Sequence, residues 1–375
     1  EIAAKYNIYV LLDMHQDAFS KYIATPVNAA CDKPNKGWDG APDWATITDG
    51  ASTCTTDGSR ESAPAVVHAW QNLWDNKNGI QDVCINAWIT LIKQTAKYSN
   101  IVGYDLINEP SLGYQAINQQ ADKLSKFYGK LTRKIREAES EVNASQHIIF
   151  FEMSVTWNGQ PIPFIPFPNF TNDENIIFAP HTYFESISYI FTIEQGYDLL
   201  KNLSKLYNTG LFIGEYGFFD EPTDDVLKLK RYAKKEDDNF AGSTIWQWSQ
   251  APGDPHGISW DGTRYSNTSM QLIELDKNGI VTGNRNELFL NVLSRTRPNA
   301  ICGQPIKLTS NADDGTMHLE AITNQDGITT LWIPDRFGYP KISGENINPI
   351  EIKKMDGGYI IDVKVKNNYA INVGY

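Results

Sequence analysis

Two glutamates close apolar runs that lie far apart in the chain. Glu109 ends GYDLINEP (103–110), and Glu215 sits in GLFIGEY (210–216). A carboxyl at the end of a buried strand can reach a shared pocket, and Pro110 stops the ladder and fixes the turn behind Glu109. Taken alone, Asn108-Glu109-Pro110 equally fits a cap on the next helix. As a pair on separate strands, the two carboxyls suit retaining hydrolysis of a glycosidic bond. One attacks the anomeric carbon while the other protonates the leaving oxygen and later activates water. That chemistry needs the carboxyls ~5–5.5 Å apart. It also needs surroundings that keep one protonated and the other ionised.

Other polar and aromatic residues stand where apolar runs stop. His15 and Asp17 follow 8–14, Asn108 follows 101–107, His181 and Tyr183 follow 175–180, and Trp246 and Trp248 end 241–248. Tyr183 is a candidate donor to the nucleophile. His15, Asp17 and His181 are candidates for binding sugar hydroxyls or tuning the carboxyls, and Trp246 for an apolar floor under a sugar ring. Trp246 and Trp248 share a face, so core filling fits them as well. A metal site on His15, Asp17 and His181 is the main chemical rival, although there is no HExxH. No GxSxG supports a Ser–His–Asp mechanism. No cofactor and no metal are expected.

These residues need a scaffold that brings strand ends to one rim. Apolar runs recur at 8–14, 101–107, 147–152, 175–180, 210–216 and 241–248. Helical spacing fills 79–97 and 116–138, where Ile117, Ala121, Leu124, Phe127, Tyr128, Leu131, Ile135 and Ala138 recur at three-four intervals. Alternating strands and helices predict right-handed βαβ units and a parallel sheet. A (β/α)₈ TIM barrel needs eight strands and six are countable, so the first two βα units are expected to precede residue 1. A doubly wound sheet is the alternative, but no GxGxxG or Walker loop follows a strand. Residues 18–70, with Trp38, Trp44, Cys31 and Cys54, read as a long irregular loop on the active face. After 293–305, short alternating strands predict a small antiparallel β-sandwich. The expected division is 1–295 for the barrel and 305–375 for the sandwich.

Composition bounds the function. The net charge of −12 disfavours nucleic acid, which needs a basic face. No apolar run approaches the ~20 residues of a membrane span. Four cysteines without CxxC disfavour a zinc ribbon, and Cys31 and Cys54 lie close enough in one loop to be bridged. Four N-x-[ST] sequons, at Asn143, Asn169, Asn202 and Asn267, favour a secreted or lysosomal glycoprotein.

The motifs resemble family 5 of the glycoside hydrolases, whose two catalytic glutamates end the fourth and seventh strands of a (β/α)₈ barrel. Asn108-Glu109-Pro110 looks like its acid/base signature, GEYG (214–217) like its nucleophile strand, and PHTY (180–183) like its following His and Tyr. LLDMHQDAFSKYI (11–23), GAPDWAT (40–46), NGIQDV (78–83), VGYDLINEP (102–110), TIWQWSQ (244–250) and LWIPDRFGYP look like the endoglycoceramidase subgroup. The resemblance implies cleavage of the β-glucosidic bond between glycan and ceramide, with Glu109 as acid/base and Glu215 as nucleophile. His15, Asp17, Asn108, His181, Tyr183 and Trp246 would line the adjoining sugar subsite. It further implies a glycosphingolipid substrate; a monomer with at most transient contact with a membrane or micelle is expected. The family's first two strands carry sugar-binding residues, so a chain lacking them is expected to risk losing activity. Two alternatives stand beside this reading. One is a β-glucosidase of glucosylceramide or steryl glucoside, and the other a non-catalytic glycolipid-binding barrel.

Overall fold

The computed structural model describes residues 1–37, 39–155, 165–250 and 271–375; Trp38 and the sequon at Asn267 lie outside the described residues. The first elements are α1 (Ile2–Lys5), β1 (Val10–Asp13), α2 (Pro64–Trp74), α3 (Ile80–Thr95), β2 (Ile101–Asp105), α4 (Ile117–Glu141) and β3 (Ile148–Phe151). Next come β4 (Ile176–Phe178), α5 (Ile193–Leu206), β5 (Gly210–Tyr216), α6 (Pro222–Asn239) and β6 (Gly242–Ile245). A short hairpin, β7 (Ile273–Leu275) and β8 (Val281–Arg285), leads to α7 (Glu287–Leu293). The chain ends with β9 (Arg297–Ala300), β10 (Gln304–Ser310), β11 (Met317–Ile322), β12 (Gly327–Pro334), β13 (Lys341–Met355) and β14 (Gly358–Gly374).

Strands β1 to β6 follow one another in chain order in a single sheet. The pairings from β1 through β5 are parallel. Each of the six apolar runs supplies one strand, and the architecture is TIM-barrel-like. The chain divides into two compact units, Glu1–Thr182 with Leu200–Gly214, and Tyr183–Leu199 with Glu215–Tyr375.

In the first unit, strand alternation sorts side chains between two faces. Tyr104 packs edge-on against Trp88 of α3, and Phe151 against Tyr128 of α4. On the opposite face Phe150 meets Phe212 at 5.2 Å. Gly103 belongs there because a Cβ would lie 2.6 Å from the Phe150 ring. Two residues further along, the same alternation brings Asp105 and Glu152 to this inner face. Helix α4 buries every position of its anticipated stripe except Ile117, which is 51% exposed.

The stretch expected to be irregular through residue 70 ends earlier. Helix α2 begins at Pro64, a residue pre-set for the first helical turn, and buries Ala65, Val66, Ala69, Trp70 and Leu73. Before it, the loop is tied by a Cys31–Cys54 disulfide and by Phe19 packed on Trp70 at 5.4 Å.

In the second unit, Tyr216 stacks on Tyr232 of α6 at 4.8 Å. Arg295 ties α6 to the strands that follow. Its guanidinium lies 2.9 Å from both Glu236 and Asp237, and Asp237 accepts the Ser310 N–H of β10. The C-terminal strands form one antiparallel sheet in which β14 pairs β12 along 358–365 and β11 along 368–373. Strand β13 follows β14 through both halves, and Asn346 and Asn367 take positive φ between them. Alternate residues of both halves, including Ile361, Val363, Val365, Tyr369, Ile371 and Val373, bury into one core. The expected C-terminal antiparallel unit is thus present, its two halves linked by the long strands β13 and β14 around one core.

Candidate active site

The first unit assembles the surroundings of Glu109. Strand β2 runs out at Asp105, and three residues later Asn108 is locked to Gln16. The Asn108 amide donates to the Gln16 carbonyl at 3.1 Å, and the Gln16 amide donates to the Asn108 carbonyl. Glu109 then takes φ 40°, a left-handed conformation that costs a non-glycine residue about 1–3 kcal/mol. This turn presents the carboxyl to three neighbours. His181 Nδ1 lies 3.1 Å from Glu109 Oε1, Arg60 lies 3.7 Å from Oε2, and the Glu109 N–H donates to Glu152 Oε2 at 3.2 Å.

Arg60 links Glu109 to the residues after β1. Its guanidinium donates to Asp17 at 3.0 Å and also pairs with Glu61. Burial opposes its charge, but Asp17, Glu61 and Glu109 outweigh burial and hold it protonated. His15 stands between Asp13, at 2.7 Å, and Asp17, at 3.6 Å. Burial lowers the His15 pKa, but those two carboxylates prevail and push it up to about 11.

His181 extends beyond β4 and meets two carboxylates. Opposite its Glu109 contact, Nε2 lies 3.0 Å from Glu152 Oε1. The ring fits because residue 214 is glycine: a Cβ there would lie 2.7 Å from the Ala179 carbonyl and 3.0 Å from His181 Cδ2. Burial pushes the Glu152 carboxyl up to about 7, against the pull of His181. Asp105, equally buried, is pushed well above the carboxylate range by burial and by Glu152 and Asp13.

The second unit assembles the surroundings of Glu215. The Tyr183 hydroxyl donates to Glu215 Oε1, and the Tyr183 ring stacks with Phe219 at 5.9 Å. The Trp246 N–H donates to the Tyr216 carbonyl at 2.7 Å, which seats Trp246 beside the end of β5. Gly217 permits this approach, since a Cβ would lie 2.5 Å from the Trp246 carbonyl. Trp246 is half-buried, whereas Trp248 is 64% exposed and fills no core.

Within the first unit, therefore, His15, Asp17, Asn108, Glu109 and His181 form one connected cluster. Within the second, Tyr183 and Glu215 are in contact and Trp246 is adjacent. Three members of the first cluster escaped sequence reasoning: Gln16, Arg60 and Glu152. Glu152 left a signal as the carboxyl closing the run 147–152. Arg60 left none, because its loop has no periodicity.

Comparisons with known proteins identify the family. Residues 1–252 match the Cellulase (glycosyl hydrolase family 5) family. The chain is 30% identical over 215 residues to an endoglycoceramidase of Hydra vulgaris, covering 49% of this chain and 38% of that protein. It is 28% identical over 346 residues to an endoglycoceramidase of Cyanea nozakii, covering 81% of this chain and 60% of that protein. These matches thus span less than two thirds of either curated relative. A crystal structure of an endogalactoceramidase superposes with a TM-score of 0.88 at 31% identity, covering 98% of this chain and 79% of that one. The chain therefore belongs to glycosyl hydrolase family 5, as an endoglycoceramidase-like member.

Proposed function

We propose that this protein is a retaining endo-glycosidase that hydrolyses the β-glucosidic bond between the oligosaccharide and ceramide of glycosphingolipids. The observation that carries the reading is the division of labour around two strand-end glutamates. Glu109 is embedded among ionisable groups, as a residue that gives and regains a proton requires. Glu215 accepts a phenol hydroxyl, which orients a carboxylate for attack. In the first step Glu215 attacks the anomeric carbon while Glu109 protonates the departing ceramide oxygen. In the second, Glu109 takes a proton from water, which displaces the sugar from Glu215. His15, Asp17, Asn108 and Trp246 bind the sugar next to the cleaved bond. The relatives named as endoglycoceramidases and an endogalactoceramidase support a sphingolipid aglycone.

A secretory or lysosomal location and a glycosylated surface belong to the same proposal. Asn143, Asn169 and Asn202 are exposed, and the Cys31–Cys54 bridge suits an oxidising compartment. The protein acts as a monomer with transient contact to a membrane or micelle.

The test is an assay of the intact protein on a fluorescent ganglioside beside Glu215→Gln. Release of whole oligosaccharide by the wild type alone supports the proposal. Release of single glucose units would point to a β-glucosidase. Binding without turnover would point to a glycolipid-binding barrel.

A further inference from the structure

Glu152 makes two contacts that close a ring around Glu109. Its Oε2 accepts the Glu109 N–H at 3.2 Å, and its Oε1 lies 3.0 Å from His181 Nε2. The other His181 nitrogen lies 3.1 Å from Glu109 Oε1. One buried carboxyl thus accepts the backbone N–H of Glu109, at its left-handed φ, and stands beside the imidazole that touches the Glu109 side chain.

We propose that Glu152 is a positioning residue for the acid/base. It fixes where the Glu109 carboxyl stands and which His181 nitrogen faces it. The proposal rests on the reading of Glu109 as acid/base.

The chemistry follows from the ring. For His181 to donate to Glu109, its Nδ1 must carry a proton. A carboxyl opposite Nε2 accepts or returns the other ring proton, so the tautomer is set by Glu152. When Glu109 has given its proton to the leaving oxygen, its new negative charge faces Nδ1–H. Glu152 also anchors the Glu109 N–H, so a turn that would otherwise relax keeps the carboxyl directed at the substrate. The ionisable groups facing Glu152 come from every neighbouring element. They are Asp13 of β1, Asp105 of β2, Glu109 beyond it, His181 beyond β4, and Tyr128 of α4, whose hydroxyl donates to the Glu152 carbonyl at 3.1 Å. Burial raises the Glu152 carboxyl above the usual carboxylate range, against the pull of His181.

A purely structural Glu152 would affect all substrates alike. A residue that positions a proton donor would not. We therefore compare Glu152→Gln, Glu152→Met and Glu109→Gln on two substrates. One is a glycosphingolipid, whose alkoxide leaving group needs protonation. The other is the same glycan on dinitrophenol, whose leaving group does not. The readout for dinitrophenol is the pre-steady-state burst, which reports the first step alone. Glu152→Gln is expected to lower glycosphingolipid turnover roughly ten- to a hundredfold, with the burst rate within about threefold of wild type. Glu152→Met should lose at least as much, in the same leaving-group pattern. Equal losses on both substrates, or no loss on either, would overturn the proposal. Glu109→Gln separates the two ideas. If it shows the leaving-group pattern and the Glu152 variants do not, only the positioning role falls. If Glu109→Gln lacks the pattern, the acid/base reading falls, and this proposal with it.

Discussion

The two glutamates live in chemically different places. Around Glu109 stand an imidazole at 3.1 Å, a guanidinium at 3.7 Å and the buried carboxyl of Glu152 on its own backbone N–H. One partner of Glu215 is a phenol: the Tyr183 hydroxyl donates to its Oε1, and the Tyr183 ring stacks on Phe219. A group that gains and loses a proton in every cycle benefits from neighbours that can answer a change of charge. A group that must stay ionised and attack benefits from a donor that fixes its direction without titrating near neutrality. On the proposed mechanism, two carboxyls of the same type take opposite duties through their surroundings.

The contrast can be broken most severely at the glutamates themselves. Glu215→Gln should lose turnover on the order of 10⁴-fold or more on every substrate, because no leaving group compensates for a missing nucleophile. Glu109→Gln should lose about 10²–10⁴-fold on glycosphingolipid, and far less in the burst with a dinitrophenyl glycoside. Steady-state and burst kinetics on both substrates check the pair. Equal patterns for the two variants would erase the difference in role.

Tyr183→Phe comes next. A hydrogen bond to a charged group contributes about 1.5–3 kcal/mol, so kcat should fall roughly ten- to a hundredfold with little change in Tm. Unchanged kcat would mean that the phenol does not orient Glu215.

Smaller effects fall on stability in the first unit. The Cys31–Cys54 bridge closes a loop with a sequence separation of 23. Replacing both cysteines by serine should cost about 3 kcal/mol, read from denaturant midpoints. Cys84 should not form a substitute bond readily, since burial pushes its thiol up to about 11.

His15 adds a dependence on pH. Its folded pKa, near 11, lies above its ordinary value of about 6.5, so its stabilisation is complete below ~6.5. It then declines as pH rises and is gone once pH passes through about 11. His15→Asn should therefore destabilise the protein more at pH 6 than at pH 9. Equal losses at both would show that the Asp13–His15–Asp17 pairing adds nothing to folding.

Much of this was readable from spacing, for identifiable reasons. Buried parallel strands are continuous apolar runs, so all six stood out, and the residues closing them were the candidates that the fold placed. Glu152 closed a run too, yet its role depends on Glu109 and His181, contacts 43 and 29 residues away that no local pattern encodes. Arg60 was invisible because irregular chain carries no periodicity. Helix α2 was half-hidden because its start lay inside a stretch rich in Gly, Pro and Cys. Trp246 and Trp248 shared a face in sequence, and only packing separated the half-buried ring from the exposed one.

The most direct test traps the covalent intermediate. The protein would be incubated with a 2-deoxy-2-fluoro glycoside carrying a good leaving group, then digested and analysed by peptide mass spectrometry. The account predicts one sugar esterified to Glu215, with Glu109 unmodified and labelling retained, though not turned over, in Glu109→Gln. A label on Glu109, or turnover of natural substrate by Glu215→Gln at the wild-type rate, would contradict it.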